Sequence, residues 1–331
     1  MDILAFDEAR IETRQAKGKL FIVPGIDDDV DSVGRAQRKS HGFSLHPPNI
    51  LLVGVTVCPE ILNLRTLHED DSGAVFDEEM QNGLICLLCI VGEQAYVKKT
   101  KGSGGEQRGP GTAFPTKFVP VTISGLTYRY ILLGEGGVLD MLEAYCMGVE
   151  KKERVKLFKI PCKGGKPDVA EIRTRLERQK TMRAESPCYI DSFKRLQEDS
   201  AGGHGFSRHG FSAEHNEIET DLNNAGIKLF QQPVHSPCLN PLDIGIWASL
   251  KARVDDDSSQ IPIATQGNAG KVEAELWKVT QKAMLNVPAR VFFSCWQQRQ
   301  ANMRAIISAG GDDFGAPPHH GIRKKYKIKC E

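Results

Sequence analysis

The apolar positions of this chain change rhythm along its length. Near the start they fall in short unbroken runs, the pattern of buried strands. In the second half they recur every three or four residues, the pattern of helices packed by one face. Ile3-Leu4-Ala5-Phe6 reads as a buried strand with Asp7 and Glu8 at its end. Residues 19–23 (KLFIV) read as a second strand, closed by Pro24-Gly25, and residues 49–57 (NILLVGVTV) as a third. No helical pattern separates the three, so an antiparallel meander is expected.

From 58 to 123 the pattern breaks. An acidic patch around Glu69, Asp70 and Asp71 precedes an apolar segment at 84–97, and the Gly-rich tract KGSGGEQRGPG follows at 101–111. The whole region reads as an insertion, with the Gly-rich tract as a loop. Leu126, Tyr130, Leu133, Leu139, Leu142 and Tyr145 then mark helix across 124–146, interrupted at Gly134, Gly136 and Gly137. A further helix is expected at 168–180. Residues 189–198 lead into Asp199 but make a poor strand, because Lys194 and Arg195 sit in its middle. Ser212 is placed to cap a helix over 213–224 that Gly226 ends, and 227–230 reads as a short strand.

The most structured stretch is QQPVHSPCLNPLDIGIWASLKARV, residues 231–254. It joins a strand to an amphipathic helix through a Pro-rich turn. Asn240 can cap the helix, Pro241 suits its start, and Ile246, Trp247, Leu250 and Val254 form its inward face. Asp255-Asp256-Asp257 reads as the loop beyond it. Two more helices are expected at 271–285 and 288–309, and the Lys/Arg-rich tail at 323–329 reads as flexible. These elements describe one α/β domain over 1–310 and a basic tail over 311–331.

Composition adds bounds rather than identity. The chain has 331 residues, 40% apolar and 26% charged, ordinary for a soluble globular protein with a sizeable core. Net charge is +1, so partners do not follow from the overall balance. Residues 151–183 are locally basic, with twelve Lys/Arg against four acids. Such a stretch serves equally as a surface for a phosphate backbone or as a solvated helix face. The nine cysteines have no framework spacing. Cys86 and Cys89 form a CxxC inside an apolar run, with no second ligand pair at zinc-site spacing, so buried free thiols in a reducing compartment are expected. There is no signal-peptide pattern and no apolar run of membrane-spanning length; no membrane partner is expected.

Three carboxylates stand at informative places. Asp7 follows the first strand, Asp199 opens Asp-Ser-Ala-Gly-Gly-His204, and Asp243 lies in the first turn of the 241–254 helix. Singly, each has a plainer role: a strand-end acceptor, a turn former, a partner of the helix dipole. Together, strand ends and a helix start in one sheet can gather carboxylates at a single edge. Clustered carboxylates need cations, and Mg²⁺ prefers such hard oxygen ligands while leaving room for substrate phosphates.

The contexts FDEARIE (6–12), LQEDSAGGH (196–204) and QPVHSPCLNPLDIGIW (232–247) resemble the three signature blocks of the mariner-like DDE/D transposases. The family blocks are Asp-Glu after a strand, Gln-x-Asp-Asn-Ala with a nearby His, and Ser-Pro-Asp-Leu-Asn-Pro-Leu-Asp/Glu before an aromatic-bearing helix. The last is the most specific match. The resemblance implies an RNase H-like fold, a mixed central sheet with helices on both faces and a long insertion at about 58–123. It implies that Asp7, Asp199 and Asp243 are catalytic acids holding Mg²⁺ or Mn²⁺ as two ions. It further implies cleavage of transposon-end DNA and strand transfer to target DNA, by a homodimer in the nucleus. His204 is either a DNA contact or a structural residue. Cys238 replaces an Asp of the family pattern, Ala9-Arg10-Ile11 replaces a basic-aromatic run, and the 43 residues between Asp199 and Asp243 are longer than the family norm, with FSRHGFSAEH as the extra length. Only Met1 to Phe6 stand ahead of Asp7 in this sequence, so the family's N-terminal helix-turn-helix domain is expected to have been lost or truncated. A catalytically inactive relic that binds DNA through the 151–183 surface is the alternative; a nuclease acting on RNA–DNA hybrids is a third reading.

Overall fold

A computed structural model describes residues 3–12, 49–58, 83–94, 123–185, 195–198, 206–207, 210–211, 213–233, 236–257, 261 and 269–308. The expected strand at 19–23, the Gly-rich tract and the basic tail lie outside the described residues.

The first strand, β1 (Ile3–Glu12), is longer than its apolar run. Its second half alternates, with Ala9 and Ile11 buried and Arg10 and Glu12 exposed, so period-two patterning carries the strand past the acids. Asp7 therefore sits inside β1 rather than at its end. β1 pairs antiparallel with β2 (Asn49–Thr56) over Ala5↔Thr56 to Glu12↔Asn49. β2 pairs antiparallel with β3 (Leu84–Gln94), which completes a meander. β3 is the apolar core of the region expected as an insertion. It belongs to the sheet itself, third from one edge, because LICLLCIV is apolar on both faces and needs cover on both.

Two helices follow, α1 (Gly125–Leu133) and α2 (Val138–Cys146), broken at the glycines as expected. A capping box, Ser124 with Thr127, starts α1. A short 3₁₀ turn at Lys151–Arg154 leads to β4 (Val155–Lys163), parallel to β3, and the edge strand β5 (Lys166–Pro167). α3 (Val169–Glu185) runs five residues beyond its expected end. β6 (Arg195–Glu198) is a strand because Arg195 begins it and stays exposed while Leu196, Gln197 and Glu198 are buried. A small hairpin, β7 (Phe206–Ser207) and β8 (Gly210–Phe211), occupies part of the extra length between the second and third blocks. α4 (Ala213–Asn224) ends at Gly226, φ 80°, and leads to β9 (Lys228–Gln231).

The seven-stranded sheet has the order β5-β4-β3-β2-β1-β6-β9, with β6 parallel to both β1 and β9. One core packs α1 to α4 on one face, through residues such as Tyr128, Leu132, Ile172 and Ile218. The other packs the late helices on the opposite face, through Leu242, Trp247, Leu250, Trp277 and Phe292. Those are α5 (Trp247–Asp257), α6 (Ala269–Leu285) and α7 (Ala289–Ser308). Asp255 to Asp257, expected as loop, form the last turn of α5. The chain is thus α/β with a mixed sheet and helices on both faces.

Candidate functional site

Asp7 is in mid-strand along β1 yet at the carboxyl end of its parallel neighbour. The last described β1–β6 pair is Ala5↔Gln197, and β6 ends at Glu198. From Asp7 onward β1 keeps β2 as its described partner. The Asp7 side chain is 7% exposed and shares the late-helix face with Ala9 and Ile11. Burying a carboxylate is costly unless it is hydrogen-bonded. Trp247 meets that need: its Nε1–H donates to Asp7 Oδ2 at 2.7 Å.

The indole reaches Asp7 across β2. Gly54, paired with Asp7 in the register, lies beneath it. A β-carbon at Gly54 would stand 2.7 Å from Trp247 Cη2 and 3.3 Å from Leu242 Cδ2. Glycine inside this strand marks the close approach of the ring.

The Pro-rich turn holds Asp243 close to the same strand. A 3₁₀ turn at Pro237–Leu239 presents Asn240, which is fully buried. Its Nδ2 donates to the Phe6 carbonyl at 3.1 Å, and its Oδ1 accepts from the Leu242 backbone N–H at 3.1 Å. Asn240 thus caps the helix, as the sequence predicts, and also ties it to the residue before Asp7. The first turn, Leu242–Ile246, is π-helical, with the Trp247 N–H bonding the Leu242 carbonyl. Ile246, Trp247, Leu250 and Val254 are buried as expected. Asp243 is exposed, on the turn whose two ends are fixed to β1 through Asn240 and Trp247. The structure so brings together the segments that carry Asp7 and Asp243.

Asp199 and His204 lie outside the described residues. Asp7 and Asp199 each stand two positions beyond the Ala5↔Gln197 pair in sequence. Among the described residues no group of three or more His, Cys, Asp or Glu is arranged to hold a metal ion.

Two polar clusters flank this edge that sequence reasoning did not single out. On the α1/α4 face, Glu198 is fully buried; the Tyr128 hydroxyl donates to it and His215 Nε2 lies 3.2 Å from its Oε1. On the other face, Gln197 Nε2 donates to Gln232 Oε1 and to the Leu239 carbonyl, both at 2.9 Å, while its Oε1 accepts from Arg299 at 2.6 Å. Adjacent strand positions point to opposite faces, so Glu198 braces one helix layer and Gln197 the other. Both lie within the second block, Gln197 as its glutamine, but their bracing roles follow only from 128, 215 and 299 converging on β6.

The basic 151–183 stretch is partly used internally. Arg154 is 1% exposed, donates to the Leu84, Ile85 and Val149 carbonyls and lies over the Tyr145 ring. Lys151 bonds the Leu285 carbonyl, Arg175 pairs with Glu171 and Glu93, and Arg183 with Asp140. Lys159, Lys163, Lys166, Arg173 and Arg178 are exposed. The CxxC is not a chelating pair. Cys86 belongs to the α1–α4 core and Cys89 to the opposite one, because three residues along a strand reverse the side. Burial raises both thiol pKa values, that of Cys86 up to about 12.

Comparison with protein-family models and with curated proteins finds no match.

Proposed function

We propose that this chain is the catalytic core of a DDE/D-type DNA transposase with an RNase H-like sheet. The sequence blocks motivate the reading, and one observation carries it. Asn240 bonds the Phe6 carbonyl and Trp247 bonds Asp7, so the third block is fastened to the first at the carboxyl end of β6. The strand order β3-β2-β1-β6-β9, with β2 the antiparallel member, supports the fold assignment.

The donor chemistry fits Mg²⁺ or Mn²⁺, since Asp7 and Asp243 offer hard carboxylate oxygens and the reading adds Asp199. Bound ions of this kind activate a water or hydroxyl and stabilise the leaving oxygen of a phosphodiester. The protein's own contribution is orientation. Trp247 fixes one Asp7 oxygen, and burial keeps competing water from it. Asp243 is exposed on a helix whose base is buried, so its carboxylate meets an incoming DNA backbone without the helix moving.

Nicking of end-labelled duplex DNA in Mg²⁺ or Mn²⁺ tests the reading. Wild type should cleave, and Asp7→Asn, Asp199→Asn and Asp243→Asn should each lose at least about a thousandfold in rate, about 4 kcal/mol of transition-state stabilisation. Cleavage that survives all three substitutions rules out the assignment. Salt-dependent binding without any cleavage supports an inactive DNA-binding relic instead.

A further inference from the structure

Arg299 is a buried guanidinium, 3% exposed, that forms no ion pair among the described residues. Its Nε donates to the Leu239 carbonyl at 3.0 Å and its terminal nitrogen to Gln197 Oε1 at 2.6 Å, with the Trp296 ring 5.3 Å away. Desolvation lowers its pKa. Simple core filling would be met by an apolar side chain without that electrostatic cost. A fixed fork, by contrast, can hold two acceptors from different elements in one geometry.

The two acceptors are informative. Gln197 is on β6, beside Ala5 of β1. Leu239 immediately precedes Asn240, which caps the Asp243 helix and bonds Phe6. One turn further along α7, Asn302 Nδ2 donates to the Cys238 carbonyl at 2.7 Å and is itself bonded by Gln298. α7 therefore grips two successive carbonyls of the 237–240 turn, and Arg299 also grips the sheet.

We propose that Arg299 is a positioning residue for the acid edge, its fork locking the 237–240 turn onto β6 and thereby setting how Asp243 stands relative to Asp7. This rests on the transposase reading above and deepens it. Arg299 touches no reacting atom.

Terbium(III), a hard oxygen-seeking ion whose emission is sensitised by nearby tryptophan, tests this without DNA cleavage. Trp247 is the sensitiser bonded to Asp7. Titration of wild type and Asp7→Asn isolates the Asp7-dependent emission. Arg299→Met and Arg299→Lys, checked for folding by circular dichroism, should each weaken that binding by about tenfold or more. Lysine keeps the charge but cannot hold both acceptors, so a deficit shared by Lys and Met identifies the fork. Wild-type affinity in a folded Arg299→Lys overturns the inference and leaves the transposase reading standing. Failure of both variants to fold would make Arg299 a plain stability residue, which also overturns it. Absence of Asp7-dependent emission in wild type removes the metal site, and with it both readings.

Discussion

Trp247 and Asp7, 240 positions apart in sequence, are joined by an indole N–H to carboxylate hydrogen bond of 2.7 Å inside the late-helix core. The bond gives a buried acid its partner and orients it. Trp247→Phe deletes the donor and leaves a smaller aromatic ring in its place. It should lower unfolding free energy by about 1.5–3 kcal/mol, the range for a hydrogen bond to a charged group. Urea unfolding measures this, and a change below about 0.5 kcal/mol would show that the bond does not hold Asp7.

Gly54 is the floor under that indole. Gly54→Ala puts a methyl 2.7 Å from Cη2, and the ring has a fixed tether at Asp7. The expected cost is about 1–3 kcal/mol from overpacking. Gly54→Ala with Trp247→Phe should cost less than the sum of the two, because the smaller ring makes room. A double-mutant cycle reads the coupling, and strict additivity would place the strain elsewhere.

Asp243 separates stability from chemistry. It is exposed, so Asp243→Asn should change unfolding free energy by about 1 kcal/mol or less. The same change should abolish metal-dependent cleavage. Thermal melts beside the nicking assay give both answers, and a large drop in melting temperature with cleavage retained would reverse the roles given to it.

Much of this arrangement could be read from sequence where the information is local. Asn240 as cap, the inward face of Ile246, Trp247, Leu250 and Val254, and the glycine break between α1 and α2 depend on neighbours within a turn or two. The length of β1 was hidden because Asp7-Glu8 resembles a strand end; only the alternation at Ala9 and Ile11 shows otherwise. β3 is masked by its polar and Gly-rich flanks, although its apolarity on both faces is the mark of a central strand. Glu198 stood next to the more conspicuous Asp199, and its partners Tyr128 and His215 lie 70 and 17 residues away. Long-range partners leave no periodic trace.

Cys86 gives a pH dependence with a definite sign. Burial raises its thiol from the ordinary 9.0 to about 12. The unfolded thiol ionises first, so the folded state holds more protons between these values. The contribution is fully present below pH 9 and is lost as pH rises towards 12, by about 1.4 kcal/mol per pH unit. Urea unfolding under reductant at pH 8.5 to 10.5 should show a slope that Cys86→Ala reduces by about one proton. An unchanged slope would mean that the thiol ionises as readily inside the fold as outside it.

The acid edge also has a history within each synthesis of the chain. β1 leaves the ribosome well before its partners on the opposite side, and the helix that supplies Trp247 emerges 240 residues after Asp7. At ordinary elongation rates the interval is about 10–50 s. Until β6 emerges, the strand that carries Asp7 has one open hydrogen-bonding side, and until α5 emerges its carboxylate lacks the indole. The nascent chain therefore presents an unfinished sheet edge during that interval, and chaperone demand should fall only once the third block has been made.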